Sequence, residues 1–388
     1  MQKDMIVGVV GAGTMGSGIA QVAAQAGHSV VLFDTRQEAL DSSKQGLAKV
    51  LDRLVEKGKL TAEASAAIQG RFTYATDLKA FAKSGLMIEA IVEDLAIKQK
   101  LFLDLEAIVG KDAVLATNTS SLSVTAIAGG CKVPDRVIGL HFFNPAPLLP
   151  LVEVVPGLAT DPRHAAACVA LMKDWGKTPV LAKDTPGFIV NRVARPFYGE
   201  ALRIYEEGIA DMATIDHAMK TLGGFKMGPF ELMDLIGNDV NFAVTSTVFK
   251  AFFYDPRYRP CFTQQRMVEA GWLGRKSGKG YYSYANGAVQ PEAANDSVLH
   301  KAIVDRIILM LINEAVDAFY LGVADRKDLD LAMTKGVNYP KGLLAWAEEI
   351  GFSPCLAALE RLQAEYGEDR YRPSPLLRKL VREGATSV

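Results

Sequence analysis

The chain has 388 residues, 49% of them hydrophobic, which is longer than one core usually organises, so two or three domains are expected. Its 43 lysines and arginines nearly balance its 44 aspartates and glutamates; no overall field favours nucleic acid or an anionic membrane, and an anionic ligand has to be met by local charge. The four cysteines, Cys131, Cys168, Cys261 and Cys355, form no C-x-x-C pair, which suits neither a metal site nor a disulfide framework and points to a reducing, cytoplasmic setting. Met1 to Asp4 offers no basic leader segment, and no uncharged run of about 18 apolar residues or more predicts a transmembrane helix.

Residues 5 to 35 read as strand, glycine turn, helix, strand: Met5 to Val10, the turn Gly11 to Gly16, a helical run to Ala26, then Val30 to Phe33. Further strands are expected at Leu86 to Val92, Ala113 to Thr117 and Val137 to Phe142, with helical stretches such as Ala96 to Val109 between them, which predicts a parallel, doubly wound α/β sheet. Residues 37 to 70 are too long for a simple crossover and read as an inserted helical pair.

Past Val155 the strand signals thin out, and beyond Asp184 the pattern is helical, with Thr185 suited to an N-cap and Pro186 to the first helical position. Within this helical part an internal repeat runs at an offset of 114 residues: Glu200, Gly208, Asp211, Asp216 and Gly228 recur as Glu314, Gly322, Asp325, Asp330 and Gly342. With one residue deleted, Tyr258-Arg259-Pro260 recurs as Tyr371-Arg372-Pro373. The expected division is 1–184, then one helical domain over 185–290, a linker over Ala288 to Asn295, and a second copy over 296–388.

Gly11-Ala12-Gly13-Thr14-Met15-Gly16 fits G-x-G-x-x-G, whose glycines allow a tight turn and let backbone N–H groups reach a pyrophosphate. Alone the pattern is common; here it follows a strand, opens a helix, and Asp34 stands 23 positions after Gly11 at the end of the next strand, where a carboxylate accepts ribose hydroxyls. Asp34 would repel a 2′-phosphate, so NAD is the expected cofactor, with Arg36 nearby as the one feature that would suit NADP. His141 closes an apolar strand, and Glu153 stands inside Leu151-Val152-Glu153-Val154-Val155. A buried carboxylate needs a partner. If the two strands adjoin, Glu153 orients the imidazole and stabilises its protonated form, making His141 a competent general base. A packed core histidine and a water-facing edge glutamate are the plainer readings of the same residues.

Together these segments resemble the 3-hydroxyacyl-CoA dehydrogenases. The resemblance is carried by Gly11 to Gly16, Glu93-Asp94-Leu95 with Lys98, Asn118-Thr119-Ser120-Ser121-Leu122, His141 to Pro145 with Glu153, Asp184 to Arg192, Met227 to Leu232, and Gly274 to Gly278. It implies a Rossmann-type domain followed by a helical domain, here present in two tandem all-α copies. It also implies His141 as the base with Glu153 as its partner, and Ser120 and Asn191 as hydrogen-bonding the substrate. Glu93, Lys98, Ser120, Asn144 and Lys276 then lie toward the dinucleotide, Asn144 also toward the substrate, and Lys57 toward coenzyme A. Family members with one helical domain dimerise through it, so this chain is expected to be either a homodimer or a monomer with an internal pseudo-dimer. The implied substrate is 3-hydroxybutyryl-CoA or, as in aromatic-compound degradation, 3-hydroxyadipyl-CoA; no cluster of basic residues marks a place for a terminal carboxylate.

Two departures stand out. Leu149-Pro150 replaces the family's usual Met-Lys before Leu151, and in the second copy Asp305 replaces Asn191 while any counterpart of Gly274 to Gly280 is missing, so that copy is expected to be non-catalytic. The rival readings are a non-catalytic, crystallin-like relative and an NAD-dependent dehydrogenase of a free hydroxy acid, which would need a basic clamp for the substrate carboxylate.

Overall fold

A computed structural model describes residues 4–388; Met1, Gln2 and Lys3, part of the segment read as leaderless, lie outside the described residues. The chain forms two compact units, the first ending at Phe188 and the second running Ile189–Val388. Among the described residues no helix is long and apolar enough to cross a membrane.

In chain order the first unit has β1 (Ile6–Val10), α1 (Thr14–Gln25), β2 (Val30–Phe33), α2 (Gln37–Glu56), α3 (Ala62–Gly70), β3 (Phe72–Ala75), β4 (Ser84–Glu89), α4 (Leu95–Ile108), β5 (Val114–Thr117), α5 (Val124–Ala128), β6 (Val137–Phe142), β7 (Leu151–Pro156), α6 (Pro162–Asp174) and β8 (Thr178–Leu181). The strands form one sheet in the order β3-β2-β1-β4-β5-β6-β7-β8. Val7, Val9, Leu86, Ile88, Ile138 and Leu140 of the sheet share one buried cluster with Ile19, Ala20 and Ala23 of α1 and Leu171 and Met172 of α6. Side chains alternate along a strand, and Gly139, between two of those residues, lies against Val124 of α5; helices therefore cover both faces. The expected α/β class, a Rossmann-type doubly wound sheet followed by helices, holds.

Four details differ from the sequence reading. β3 and β8 carry no clear strand signal because each is a four-residue edge strand, half-buried in the first case and interrupted by Pro179 in the second. The sheet is not wholly parallel, since β7 runs antiparallel to β6. The strand expected to reach Val92 ends at Glu89, whose side chain takes the Ile91 N–H at 2.7 Å and draws the chain out of the ladder. Likewise, Thr185 caps no helix. Its carbonyl accepts from Phe188 N–H in a turn in which Gly187 and Phe188 take φ of 73° and 47°, and the helix starts only at Val190. Asp184 instead caps α5, accepting from Val124 N–H at 3.0 Å and Thr125 N–H at 2.7 Å.

The second unit is helical: α7 (Val190–Val193), α8 (Arg195–Glu206), α9 (Met212–Thr221), α10 (Pro229–Ile236), α11 (Asn238–Ala251), α12 (Phe262–Glu269), α13 (Ser297–Tyr320), α14 (Arg326–Gly336), α15 (Leu343–Ile350), α16 (Phe352–Tyr366) and α17 (Pro375–Arg382). Local chemistry repeats with the sequence. Asp211 caps α9 and Asp325 caps α14. Asp216 accepts from Phe230 and Glu231 N–H at the start of α10, as Asp330 accepts from Leu344 and Ala345 N–H at the start of α15. These carboxylates satisfy first-turn donors that have no partner within their own helix.

α13 is apolar nearly all round, with Ile303, Ile307, Met310, Leu311 and Ile312 buried, and it packs against α8, α9, α15 and α17. Its Glu314 is fully buried and accepts from Arg192 Nε at 2.6 Å, Tyr258 Oη at 2.6 Å and Arg257 Nη1 at 3.3 Å. Glu200, the corresponding residue of the first repeat, accepts from Arg306 Nε at 3.1 Å and Tyr371 Oη at 3.0 Å, with Arg370 Nε at 4.0 Å. Arg192, Arg257 and Tyr258 correspond by the repeat to Arg306, Arg370 and Tyr371. Each repeat thus buries its glutamate against two arginines and a tyrosine of the other, an isologous pairing within one chain. Burial and the Glu314 carboxylate together push the Tyr258 phenol well above its ordinary value, so it remains a donor.

Candidate active site

The glycine turn lies at the C-terminal end of β1, between β2 and β4, where the strand order reverses and open α/β sheets bind ligands. Gly11 has φ of 102°, and a Cβ there would stand 2.7 Å from the Ala90 carbonyl oxygen. A Cβ on Gly16 would stand 1.8 Å from the Gly11 carbonyl oxygen, whereas one on Gly13 would meet nothing within 4 Å. Two of the glycines therefore close the turn while Gly13 opens α1 without obstructing its N-terminal N–H groups. Thr14 and Met15 are the first residues of that helix. Ala12 N–H donates to Asp34 Oδ2 at 2.9 Å and Arg36 N–H to Asp34 Oδ1 at 3.0 Å. The Asp34 carboxylate is thereby fixed beside the turn; the Arg36 side chain, 75% exposed, comes within 3.8 Å of it. This cradle fits NAD: N–H groups for a pyrophosphate and an anchored acid for ribose hydroxyls.

Behind the turn, the end of β4 carries a charge cluster that the sequence reading only partly found. Lys98, 1% exposed, lies 2.5 Å from Glu89 Oε1 and 3.2 Å from Glu93 Oε2, so it is neither solvated nor presented outward as a single charge. Glu89 also accepts from Thr117 Oγ1 at 2.7 Å. Glu93 in turn accepts from Thr119 Oγ1 at 2.5 Å, Ser120 N–H at 2.9 Å and Ser121 N–H at 3.2 Å. Burial works against the Glu93 charge, but Lys98 and these donors outweigh it and hold its carboxyl below the ordinary value. Glu93 and Lys98 thus fix the loop that carries Ser120. Glu89 was missed, although its signal was the one used for Glu153: an acid inside an apolar strand.

β6 and β7 adjoin with His141 directly opposite Glu153. Nδ1 of His141 lies 2.6 Å from Oε2 of Glu153, which is fully buried. A carboxylate only accepts, so Nδ1 carries the proton and the lone pair of the neutral ring resides on Nε2. The residue is 5% exposed and its ring neighbours two aromatics, its centroid 4.4 Å from that of Phe143 and 6.0 Å from that of Phe188. Asn118 Oδ1 accepts from Phe142 N–H at 2.8 Å, tying the loop that carries Ser120 to the strand that carries His141.

The remaining expected residues are less confined. Asn144 is exposed just past β6, and Lys57 is exposed at the C-terminal end of α2. In the second unit Asn191 lies in the short α7, and Lys276 pairs with Asp239 at 2.6 Å. Asp234 accepts from Tyr281 N–H at 3.0 Å and Tyr282 N–H at 2.9 Å, fastening the segment that follows Lys276.

Fold and cradle together define a dehydrogenase that binds a nicotinamide dinucleotide. Residues 6–185 match the model of the 3-hydroxyacyl-CoA dehydrogenase NAD-binding domain, and residues 187–284 and 303–388 each match that of the 3-hydroxyacyl-CoA dehydrogenase C-terminal domain. The chain is 41% identical to the 3-hydroxyadipyl-CoA dehydrogenase of Escherichia coli K12, over 96% of each chain. It is 45% identical to a probable 3-hydroxybutyryl-CoA dehydrogenase of Deinococcus radiodurans, over 72% of this chain and all of the relative. A crystal structure described as 3-hydroxybutyryl-CoA dehydrogenase from Escherichia coli K12 matches with a TM-score of 0.92 and 41% identity, covering 98% of this chain and 99% of that one. The chain belongs to the 3-hydroxyacyl-CoA dehydrogenase family, as an NAD-dependent oxidoreductase.

Proposed function

We propose that His141 is the general base that takes the C3 hydroxyl proton of a short 3-hydroxyacyl-CoA, 3-hydroxybutyryl-CoA or 3-hydroxyadipyl-CoA, as the alcohol is oxidised to the 3-ketoacyl thioester. The observation that carries this is the 2.6 Å contact between His141 Nδ1 and the buried Glu153 carboxylate. It fixes the tautomer, leaves Nε2 to accept the proton, and gives the resulting imidazolium a counter-charge. NAD, when bound, supplies the acceptor for the hydride leaving C3.

Gly11, Ala12, Gly13, Thr14, Met15 and Gly16 hold the pyrophosphate and Asp34 the ribose. Glu93 and Lys98, which set the loop that aims Ser120, lie toward the dinucleotide together with Asn144 and Lys276. Ser120, Asn144 and Asn191 hydrogen-bond the substrate near its reacting oxygens, and Lys57 meets phosphate of coenzyme A. Glu153→Gln keeps the shape but removes the counter-charge; kcat is expected to fall about 10²-fold, read as NADH absorbance at saturating substrate, and a change of less than threefold would remove Glu153 from the mechanism.

Residues 296–388 act as a non-catalytic second copy of 185–290, which occupies within one chain the face a second subunit would otherwise cover. The crossed Glu200 and Glu314 pairings support this, and the chain then works as a monomer in the cytoplasm.

A further inference from the structure

Arg195 lies four residues after Asn191, and Ala194 between them keeps right-handed helical geometry (φ −80°, ψ −9°), so the two side chains leave one helical face a turn apart. Arg195 is 8% exposed. Nη1 donates to Thr245 Oγ1 at 3.2 Å, the guanidinium lies 5.0 Å from the Tyr198 ring centroid, and Nε has no hydrogen-bond partner. Among the described residues no carboxylate pairs with it. The other buried arginines of this unit, Arg192, Arg203, Arg257, Arg306 and Arg370, all have one. Tyr339, buried where it feels the Arg195 charge, has a hydroxyl that is also without a partner.

Burying an unpaired cation costs several kcal/mol, which a fold does not need to incur for packing alone. The internal repeat supplies the comparison. The positions corresponding to Arg195 and Tyr339 in the opposite copies are Leu309 and Phe225, both buried and apolar. The same architecture thus fills one of two equivalent sites with hydrocarbon and the other with a cation and a phenol.

We propose that Arg195, assisted by Tyr339, receives the terminal carboxylate of a dicarboxylic 3-hydroxyacyl-CoA. This rests on the reading of Asn191 as a substrate-binding residue: a helical turn separates a group that holds the reacting end from one that holds the far end of a short chain. A site with an unsatisfied buried cation binds the acid and rejects its methyl-ended analogue, which would leave the cation unpaired.

The test compares kcat/KM for 3-hydroxyadipyl-CoA and 3-hydroxyhexanoyl-CoA, which have the same six-carbon chain with and without the terminal carboxylate. The wild type is expected to prefer the dicarboxylate. Arg195→Leu, which installs the residue of the equivalent position, should lower that preference roughly 10- to 100-fold, chiefly through KM, and Tyr339→Phe should lower it a few-fold. Equal losses on both substrates would make Arg195 structural and overturn the proposal. If Arg195→Leu does not fold, adipyl-CoA should still raise the wild-type melting temperature more than hexanoyl-CoA does, and equal shifts would overturn it. Turnover without preference would overturn this proposal and leave the dehydrogenase reading intact; failure on both substrates and on 3-hydroxybutyryl-CoA would overturn both.

Discussion

Replacing His141 by alanine is expected to lower kcat about 10³-fold while leaving NAD binding unchanged. A positioned general base contributes roughly 10²- to 10⁴-fold. The upper half of that range is expected here because the ring is held in place: Glu153 fixes its tautomer at 2.6 Å, and Phe143 and Phe188 lie against it in tilted contacts. Removing it leaves no alternative base on β6, where Leu140 and Phe142 flank it. NAD affinity, measured by fluorescence titration, should not move, since the glycine turn and Asp34 belong to β1, α1 and the end of β2. A variant that kept more than a tenth of wild-type kcat would show that another group takes the proton. One that lost NAD binding as well would show that His141 supports the cofactor cradle instead.

The second large effect concerns stability. Glu314→Ala leaves Arg192 and Arg257 buried around a hole, sharing the Asp317 carboxylate at 3.1 and 3.2 Å, with Arg257 keeping the Arg372 carbonyl besides. Breaking one side of a buried ion network typically costs about 3 to 5 kcal/mol, because the orphaned charges stay desolvated. In a unit of this size that corresponds to a fall in melting temperature of roughly 10 °C, read by circular dichroism or calorimetry. Glu200→Ala, its partner across the repeat, should act similarly, softened by Arg306 retaining Glu207 at 2.7 Å. If either variant melts within 2 °C of the wild type, the crossed pairs do not hold the two copies together.

What the sequence revealed and what it withheld follow from burial. β1, β2, β5, β6 and β7 were legible because fully buried strands read as apolar runs, and the glycine turn because its conformation admits few other residues. The edge strands β3 and β8 bury too little to leave a pattern. His141 and Glu153 could be paired in advance because a carboxylate in an apolar strand needs a partner; the same rule, applied to Glu89, would have called for a buried cation such as Lys98 beside it. The repeat was visible as recurring Gly, Asp and Glu residues, but not what they do. That each glutamate is held by the opposite copy depends on how α8 and α13 meet, which no local spacing encodes. Arg195 went unnoticed for a related reason: a lone arginine on an amphipathic helix reads as solvated, and only its burial away from any acid distinguishes it.

The most direct test of the account is NADH production by the wild-type enzyme from 3-hydroxybutyryl-CoA, 3-hydroxyadipyl-CoA and free 3-hydroxybutyrate under identical conditions. Turnover of at least one thioester is expected, with the free acid slower by two orders of magnitude or more. Free-acid turnover equal to that of the thioesters, or no turnover of either thioester, would contradict it.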